Sequence, residues 1–129
     1  MKSVLFVCLG NICRSPSAEA VFNALIKKEG LTGSVRCDSA GIAAYHTGEE
    51  ADKRMQCHAL RRGYRLTSIA RKFDPETDFD QFDYIVGMDD ENVNDLQNLA
   101  SSTEELDKIY KITDFSSEEG HESVPDPYY

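Results

Sequence analysis

Apolar and polar positions along the chain fall into two alternating patterns. Residues 3 to 8, SVLFVC, form a near-continuous apolar run, which suits a parallel strand buried on both faces. Past a loop, Ala18, Val21, Phe22, Leu25 and Ile26 recur at i, i+3, i+4, i+7 and i+8, the spacing of one helical face. Ser15 is a preferred N-cap type, Pro16 suits the first helical position, and Gly30 suits a helix stop. A short strand is expected over 34 to 38 (SVRCD), then an irregular, glycine-punctuated SAGIAAYHTG and a polar helix from about Glu49 to Arg62. Residues 83 to 88, DYIVGM, read as a third strand running into Asp89, the N-cap of a helix with Val93, Leu96 and Leu99 on its apolar face. IYKITDF at 109 to 115 reads as a fourth strand, and the closing SSEEGHESVPDPYY has loop composition.

Strands separated by helices imply right-handed crossovers. The expected fold is therefore α/β, a three-layer sandwich with a four-stranded parallel sheet. At 129 residues the chain suits a single domain, residues 1–129, able to bury roughly two thirds of its unfolded surface. One feature does not close: the last strand is followed only by loop, so one sheet face is expected to lack a covering helix.

Composition is that of an ordinary globular protein, 40% hydrophobic and 29% charged, and no apolar run approaches the roughly 18 residues of a membrane span. Met1-Lys2-Ser3 leads straight into the first apolar run, which reads as a strand and not as a signal peptide; a cytoplasmic location is expected. A formal charge of −9 and a pI near 4.7 argue against nucleic acid or an anionic membrane as partner, since both require a basic patch. An anionic ligand is still admissible, provided that local geometry overcomes the global field. The cysteines at 8, 13, 37 and 57 are expected as free thiols.

Local geometry of that kind is available between the first strand and the first helix. Ligands of open α/β sheets bind at the carboxyl ends of the strands, and Cys8 to Arg14 occupies such an end, directly before a helix N-terminus. Backbone N–H groups of a curled loop and of a first helical turn favour an anion there, reinforced by the helix dipole. Gly10 and Asn11 are residue types that accept the backbone angles of such a curl. Cys8 could be a nucleophile, a metal ligand or a small core residue. As a nucleophile it would work as a thiolate, the form that cationic and helix N-terminal surroundings favour. Arg14 could fork two donors onto a phosphoryl group, a geometry that Lys cannot imitate. C-x5-R alone is a weak signal. For a zinc site the chain lacks a C-x2-C pair or two His at i, i+4, and for a nucleotide P-loop it lacks G-x4-G-K-[ST]. Neither a metal nor a cofactor is expected.

The setting of that loop is more specific than its spacing. VCLGNICRSPSAEAVF closely resembles the signature of the low-molecular-weight protein tyrosine phosphatases, DPYY at 126 to 129 resembles their second signature, and DSAG at 38 to 41 and VGMDDEN at 86 to 92 match in order. The resemblance implies hydrolysis of phosphotyrosine in a protein or peptide through a phosphocysteine. Cys8 would attack phosphorus. The residues Leu9, Gly10, Asn11, Ile12, Cys13, Arg14 and Ser15 would bind the phosphate, and Asp126 would serve as acid and then as base. Ser15 would assist the thiolate, while Asn11 and Ser39 would pin the loop; the histidine often found near position 68 in that network is Ser68 here. Tyr45, Tyr128 and Tyr129 would wall a deep slot, with Leu9 and Ile12 along its sides, deep enough to select phosphotyrosine over phosphoserine. Cys13 would form a reversible disulfide with Cys8, or else only pack the loop. Relatives continue past DPYY into a final helix, so the chain is expected to lack it and to be less stable for that.

Three other readings compete with this one. A thioredoxin-coupled arsenate reductase shares the loop but needs a further cysteine in a later segment, and none follows Cys57. A phosphocysteine carrier of sugar transport would lack counterparts of Arg14 and Asp126. A phosphate-binding module without turnover is the reading that native truncation would favour.

Overall fold

The computed structural model describes residues 1–12, 14–43 and 46–115. Four strands, β1 (Lys2–Cys8), β2 (Val35–Gly41), β3 (Tyr84–Gly87) and β4 (Ile109–Lys111), form one sheet in the order β2-β1-β3-β4. Every pairing is parallel, with Lys2 opposite Val35, Val4 opposite Tyr84 and Ile85 opposite Ile109. β1 is thus central, and its apolar run has the cause expected of it. Leu5 and Val7 pack into one cluster with Phe73, Phe79, Ile85 and Leu96. Phe6 and Cys8 point the other way, into a cluster with Val86 and Met88, because side chains alternate across a strand.

Helices cover both faces. α1 (Arg14–Lys28) brings Ala18 and Phe22 onto the Phe6 side, where the Phe6 and Phe22 rings meet edge to face at 5.6 Å. Two helices cover the opposite side, α3 (Asp78–Gln81) with Phe79 and α4 (Asp90–Leu99) with Leu96, both fully buried. Among the described residues, α2 (Lys53–Arg61) and α5 (Thr103–Leu106) complete the helices, and a 3₁₀ turn over Ile112–Phe115 follows β4. The α/β three-layer architecture expected from the pattern is the one observed.

The boundaries differ in instructive ways. α1 begins at Arg14, so Ser15 and Pro16 lie in its first turn instead of capping and opening it; a proline is tolerated there because the first N–H groups of a helix have no intrahelical partner. Gly30, at φ 70°, ends α1 as expected, with Gly30 N–H donating to Lys27 and Leu31 N–H to Ile26, the Schellman arrangement. β2 runs on to Gly41 because β1 pairs with it over its whole length. The polar helix starts at Lys53 and not near Glu49: Asp52 caps it by accepting from Met55 N–H, while Glu50 forms an antiparallel bridge with Ile69. β4 is only three residues long, because Asp114 turns back to accept Lys111 N–H at 2.9 Å and the chain closes into the 3₁₀ turn. The two four-residue helices were not expected; each is too short to carry a 3.6-residue period.

Along α1, Val21 and Leu25 are half exposed. With Val4, Phe22, Tyr84 and Ile112 they line an apolar groove of about 420 Å³ among the described residues.

Candidate active site

Cys8 is the last residue of β1, and its side chain is held from two directions. Its Sγ lies 3.0 Å from Ser15 Oγ and accepts the Asn11 backbone N–H at 3.2 Å. Ser15 Oγ in turn accepts from Asn11 Nδ2 at 2.9 Å, which leaves the hydroxyl hydrogen available to the sulfur. Both groups can therefore direct a hydrogen at Sγ. In a protein with a net charge of −9, this is where local donors oppose the global field.

The loop that supplies those donors is curled around Asn11, whose φ of 59° is left-handed, a region that Asn reaches at lower cost than most side chains. Gly41 packs against its back. A Cβ on Gly41 would stand 3.0 Å from the Leu9 carbonyl oxygen and 3.1 Å from Asn11 Cβ, so only glycine lets β2 approach so closely. Three backbone bonds tie the loop down: Ile42 N–H to the Cys8 carbonyl, Ala43 N–H to Leu9 and Asp52 N–H to Ile12, at 2.9, 2.9 and 2.7 Å. Leu9 and Gly10 are half-buried, whereas Ile12, expected along the side of a slot, is 7% exposed and packs with Ala70 and Met55.

Arg14, almost fully buried in the first turn of α1, donates Nη1 to Asp89 Oδ2 at 2.8 Å. Asp89 also accepts Asn92 N–H through Oδ1, capping α4 as expected. One carboxylate therefore ends β3, starts α4 and orients the arginine. That second role was not read from the sequence, although VGMDDEN at the carboxyl end of a parallel strand was the available signal. His46 was also missed: it stands over Gly10, on which a Cβ would lie 2.9 Å from His46 Cδ2, and its Nδ1 is 2.6 Å from Glu49 Oε2.

A polar cluster supports the loop from behind. Asn11 Oδ1 accepts the Arg71 N–H at 2.9 Å, and the Arg71 guanidinium reaches Asp78 and Asp38. Ser39, expected in the set that pins the loop, instead gives its hydroxyl to Glu19 at 2.5 Å and its N–H to Asp38. Burial raises the Glu19 pKa against the lowering effect of that hydrogen bond. Ser68 Oγ is buried with no hydrogen-bond partner among the described residues. Burial, with the Glu19 and Asp38 charges, pushes the neighbouring Cys37 thiol up to about 12. Such a thiol is chemically quiet.

The structure thus brings together Cys8, Leu9, Gly10, Asn11, Ile12, Arg14 and Ser15. Cys13, Tyr45, Asp126, Tyr128 and Tyr129 lie outside the described residues. Among the described residues, no group of three His, Cys, Asp or Glu side chains could hold a metal ion. Among the described residues, two cavities of about 640 and 620 Å³ lie elsewhere and include neither Cys8 nor Arg14. Donor geometry, not volume, marks this site.

Residues 3–129 match the family model described as low molecular weight phosphotyrosine protein phosphatase. The low molecular weight protein-tyrosine-phosphatase YfkJ of Bacillus subtilis is 43% identical over 129 residues, covering 100% of this chain and 82% of the relative. The human low molecular weight phosphotyrosine protein phosphatase is 39% identical over 128 residues, covering 99% of this chain and 80% of the relative. Among solved structures, a protein tyrosine phosphatase from Entamoeba histolytica superposes with a TM-score of 0.95 at 45% identity, over 100% of this chain and 81% of that one.

Proposed function

The chain belongs to the low-molecular-weight phosphotyrosine protein phosphatase family, and from that premise we propose that it hydrolyses phosphotyrosine in proteins or peptides through a phosphocysteine on Cys8. The observation that carries this reading is the Cys8 sulfur, set between Ser15 Oγ at 3.0 Å and the Asn11 N–H at 3.2 Å, with Arg14 in the same loop and helix turn.

In the first step Cys8 Sγ attacks phosphorus, the S–P bond forms, and the P–O bond to the phenol breaks. Asp126 gives its proton to the departing phenolate. The backbone N–H groups of residues 9–14 and the Arg14 guanidinium hold the three remaining phosphoryl oxygens, which is preorganised electrostatic stabilisation. In the second step Asp126 takes a proton from water, the water oxygen attacks phosphorus, and the S–P bond breaks to release phosphate. Ser15, beside Sγ, donates to the thiolate as it leaves. No step in this sequence calls for a cofactor. Tyr45, Tyr128 and Tyr129 are assigned to the walls around the phenyl ring. The net charge of −9, together with described helices none of which is long and apolar enough to cross a membrane, supports work on protein substrates in the cytoplasm and not on nucleic acid or a lipid surface.

The test is acid-quench mass spectrometry with a phosphotyrosine peptide. Phosphate on Cys8 during turnover, and no turnover by Cys8→Ser, are expected. Turnover without a phosphorylated Cys8 would refute the mechanism.

A further inference from the structure

Resting on the proposed function, we infer that Arg71 is a positioning residue for the phosphate-binding loop, acting through Asn11. The reason begins with the loop's own weakness. Asn11 is held at φ 59°, a conformation that persists only where its surroundings over-determine it. Its side-chain amide is used at both ends: Nδ2 donates to Ser15 Oγ at 2.9 Å and Oδ1 accepts the Arg71 N–H at 2.9 Å. The hydroxyl that faces the Cys8 sulfur is therefore placed by Asn11, and Asn11 is placed by the backbone of Arg71.

The height of that N–H is fixed in turn. The Arg71 carbonyl accepts Gly41 N–H at 2.8 Å, and Phe73 N–H donates back to the Gly41 carbonyl at 2.7 Å. The guanidinium makes a two-pronged contact with Asp78, Nη1 to Oδ2 at 3.0 Å and Nη2 to Oδ1 at 3.2 Å, and reaches Asp38 Oδ2 at 3.3 Å. Asp78 opens α3 and is almost fully buried, and it also accepts Asp74 N–H at 2.8 Å. Asp38 lies on β2. Arg71 therefore bolts residue 71 between a core strand and a core helix, and a planar fork does this with a rigidity that an ammonium lacks. The chain of contacts runs from the α3 carboxylate to the sulfur without a break: Asp78, Arg71, Asn11, Ser15, Cys8.

A merely structural role predicts something different, and the two can be separated. Arg71→Met alone would leave Asp78 buried and unpaired, which is destabilising in itself. Arg71→Met with Asp78→Asn removes both charges and keeps an acceptor for Asp74 N–H, so the fold is expected to survive while the bolt is lost. In that background kcat is expected to fall ~10- to 100-fold, the scale of an ångström-level misplacement, with KM changing less than kcat. The same loss is expected from Asn11→Ala, and combining all three substitutions should cost no more than Asn11→Ala alone, because the effects share one path. Arg71→Lys, which keeps the charge on Asp78 but not the fork, should recover part of kcat. Fully additive losses would overturn the inference, as would wild-type kcat in the melted-and-refolded Arg71→Met/Asp78→Asn protein.

Calorimetric titration with inorganic phosphate keeps the two readings distinguishable. If the wild type binds phosphate but shows no turnover, the proposed function fails, yet Arg71 still stands or falls on whether Arg71→Met/Asp78→Asn weakens phosphate by about tenfold. Unchanged phosphate binding and unchanged kcat in that variant would reject a positioning role. If the wild type neither turns over nor binds phosphate, both readings fall.

Discussion

Replacing Asp89 with serine tests whether the orientation of Arg14, and not merely its charge, supports catalysis. In the native chain the Arg14 and Asp89 side chains are 4% and 23% exposed and meet at 2.8 Å. A hydrogen bond between ionised partners contributes ~1.5–3 kcal/mol. If all of it serves to hold the guanidinium where the phosphoryl oxygens arrive, losing it lowers kcat/KM by ~10- to 150-fold, at 1.36 kcal/mol for each factor of ten. Asp89 also caps α4 through Oδ1 on Asn92 N–H, and losing a cap would cost about 1 kcal/mol of stability. Serine keeps a capping oxygen but is too short to reach both Asn92 and Arg14, so Asp89→Ser is expected to lower the melting midpoint through the buried Arg14 charge it leaves without this carboxylate and not through loss of the cap. Asp89→Asn keeps the length without the charge and should lie between wild type and Asp89→Ser. Steady-state hydrolysis of an aryl phosphate and inhibition by inorganic phosphate provide the readout. The opposing effect is that Asp89, as a second negative charge, repels the substrate dianion. An unchanged or raised kcat/KM in Asp89→Ser, or tighter phosphate inhibition without loss of kcat, would mean that repulsion outweighs orientation and would refute the argument.

Three further outcomes are expected. Gly41→Ala forces a methyl group to within 3.0 Å of the Leu9 carbonyl oxygen and should cut aryl phosphatase activity at least about tenfold by shifting the loop backbone, whereas Gly33→Ala, with nothing within 4 Å, should match wild type. Asp126→Ala should slow phosphotyrosine hydrolysis by ~10²- to 10⁴-fold and slow esters of more acidic phenols much less; a uniform loss across leaving groups would count against Asp126 as the acid. Glu19 has a folded-state pKa raised by burial above its ordinary value of 4.5. The folded state therefore binds the extra proton, and the Glu19 contribution to stability is full below 4.5 and is lost as pH rises through the folded value. Denaturant titrations of Glu19→Gln and wild type across that window should diverge, with the wild type losing stability relative to the variant as pH rises; parallel curves would contradict the assignment.

The first strand, the first helix and the loop between them were legible because three independent signals coincide there. These are an apolar run too dense for an exposed strand, a 3.6-residue period starting at Ala18, and C-x5-R at the handover. The N-cap at Asp89 was legible for the same reason, as a capping residue type stands between a strand pattern and a helix pattern. The partners of these residues were not legible. Arg14 finds Asp89 and Asn11 finds Arg71 across long stretches of chain, and no local periodicity encodes such a contact. Ser39 shows the converse error: its place beside the loop was expected, but its hydroxyl turns to Glu19, 20 residues away in the chain. The short helices at Asp78 and Thr103 were invisible to periodicity, although Ser102, which caps the second by accepting Glu105 N–H, carries a capping signal.

The central position of β1 has a consequence for how activity appears during folding. Its neighbours come from residues 35–41 on one side and 84–87 on the other, so Cys8 cannot take its place until two distant parts of the chain have docked. Loop-closure entropy makes such pairings late events. Refolding chains should therefore regain far-ultraviolet helical signal before any phosphatase activity, and the amides of β1 should be among the last to exchange with deuterium in the native state. The contacts of the Cys8 sulfur with Ser15 and Asn11 should thus form only once the sheet around them is complete.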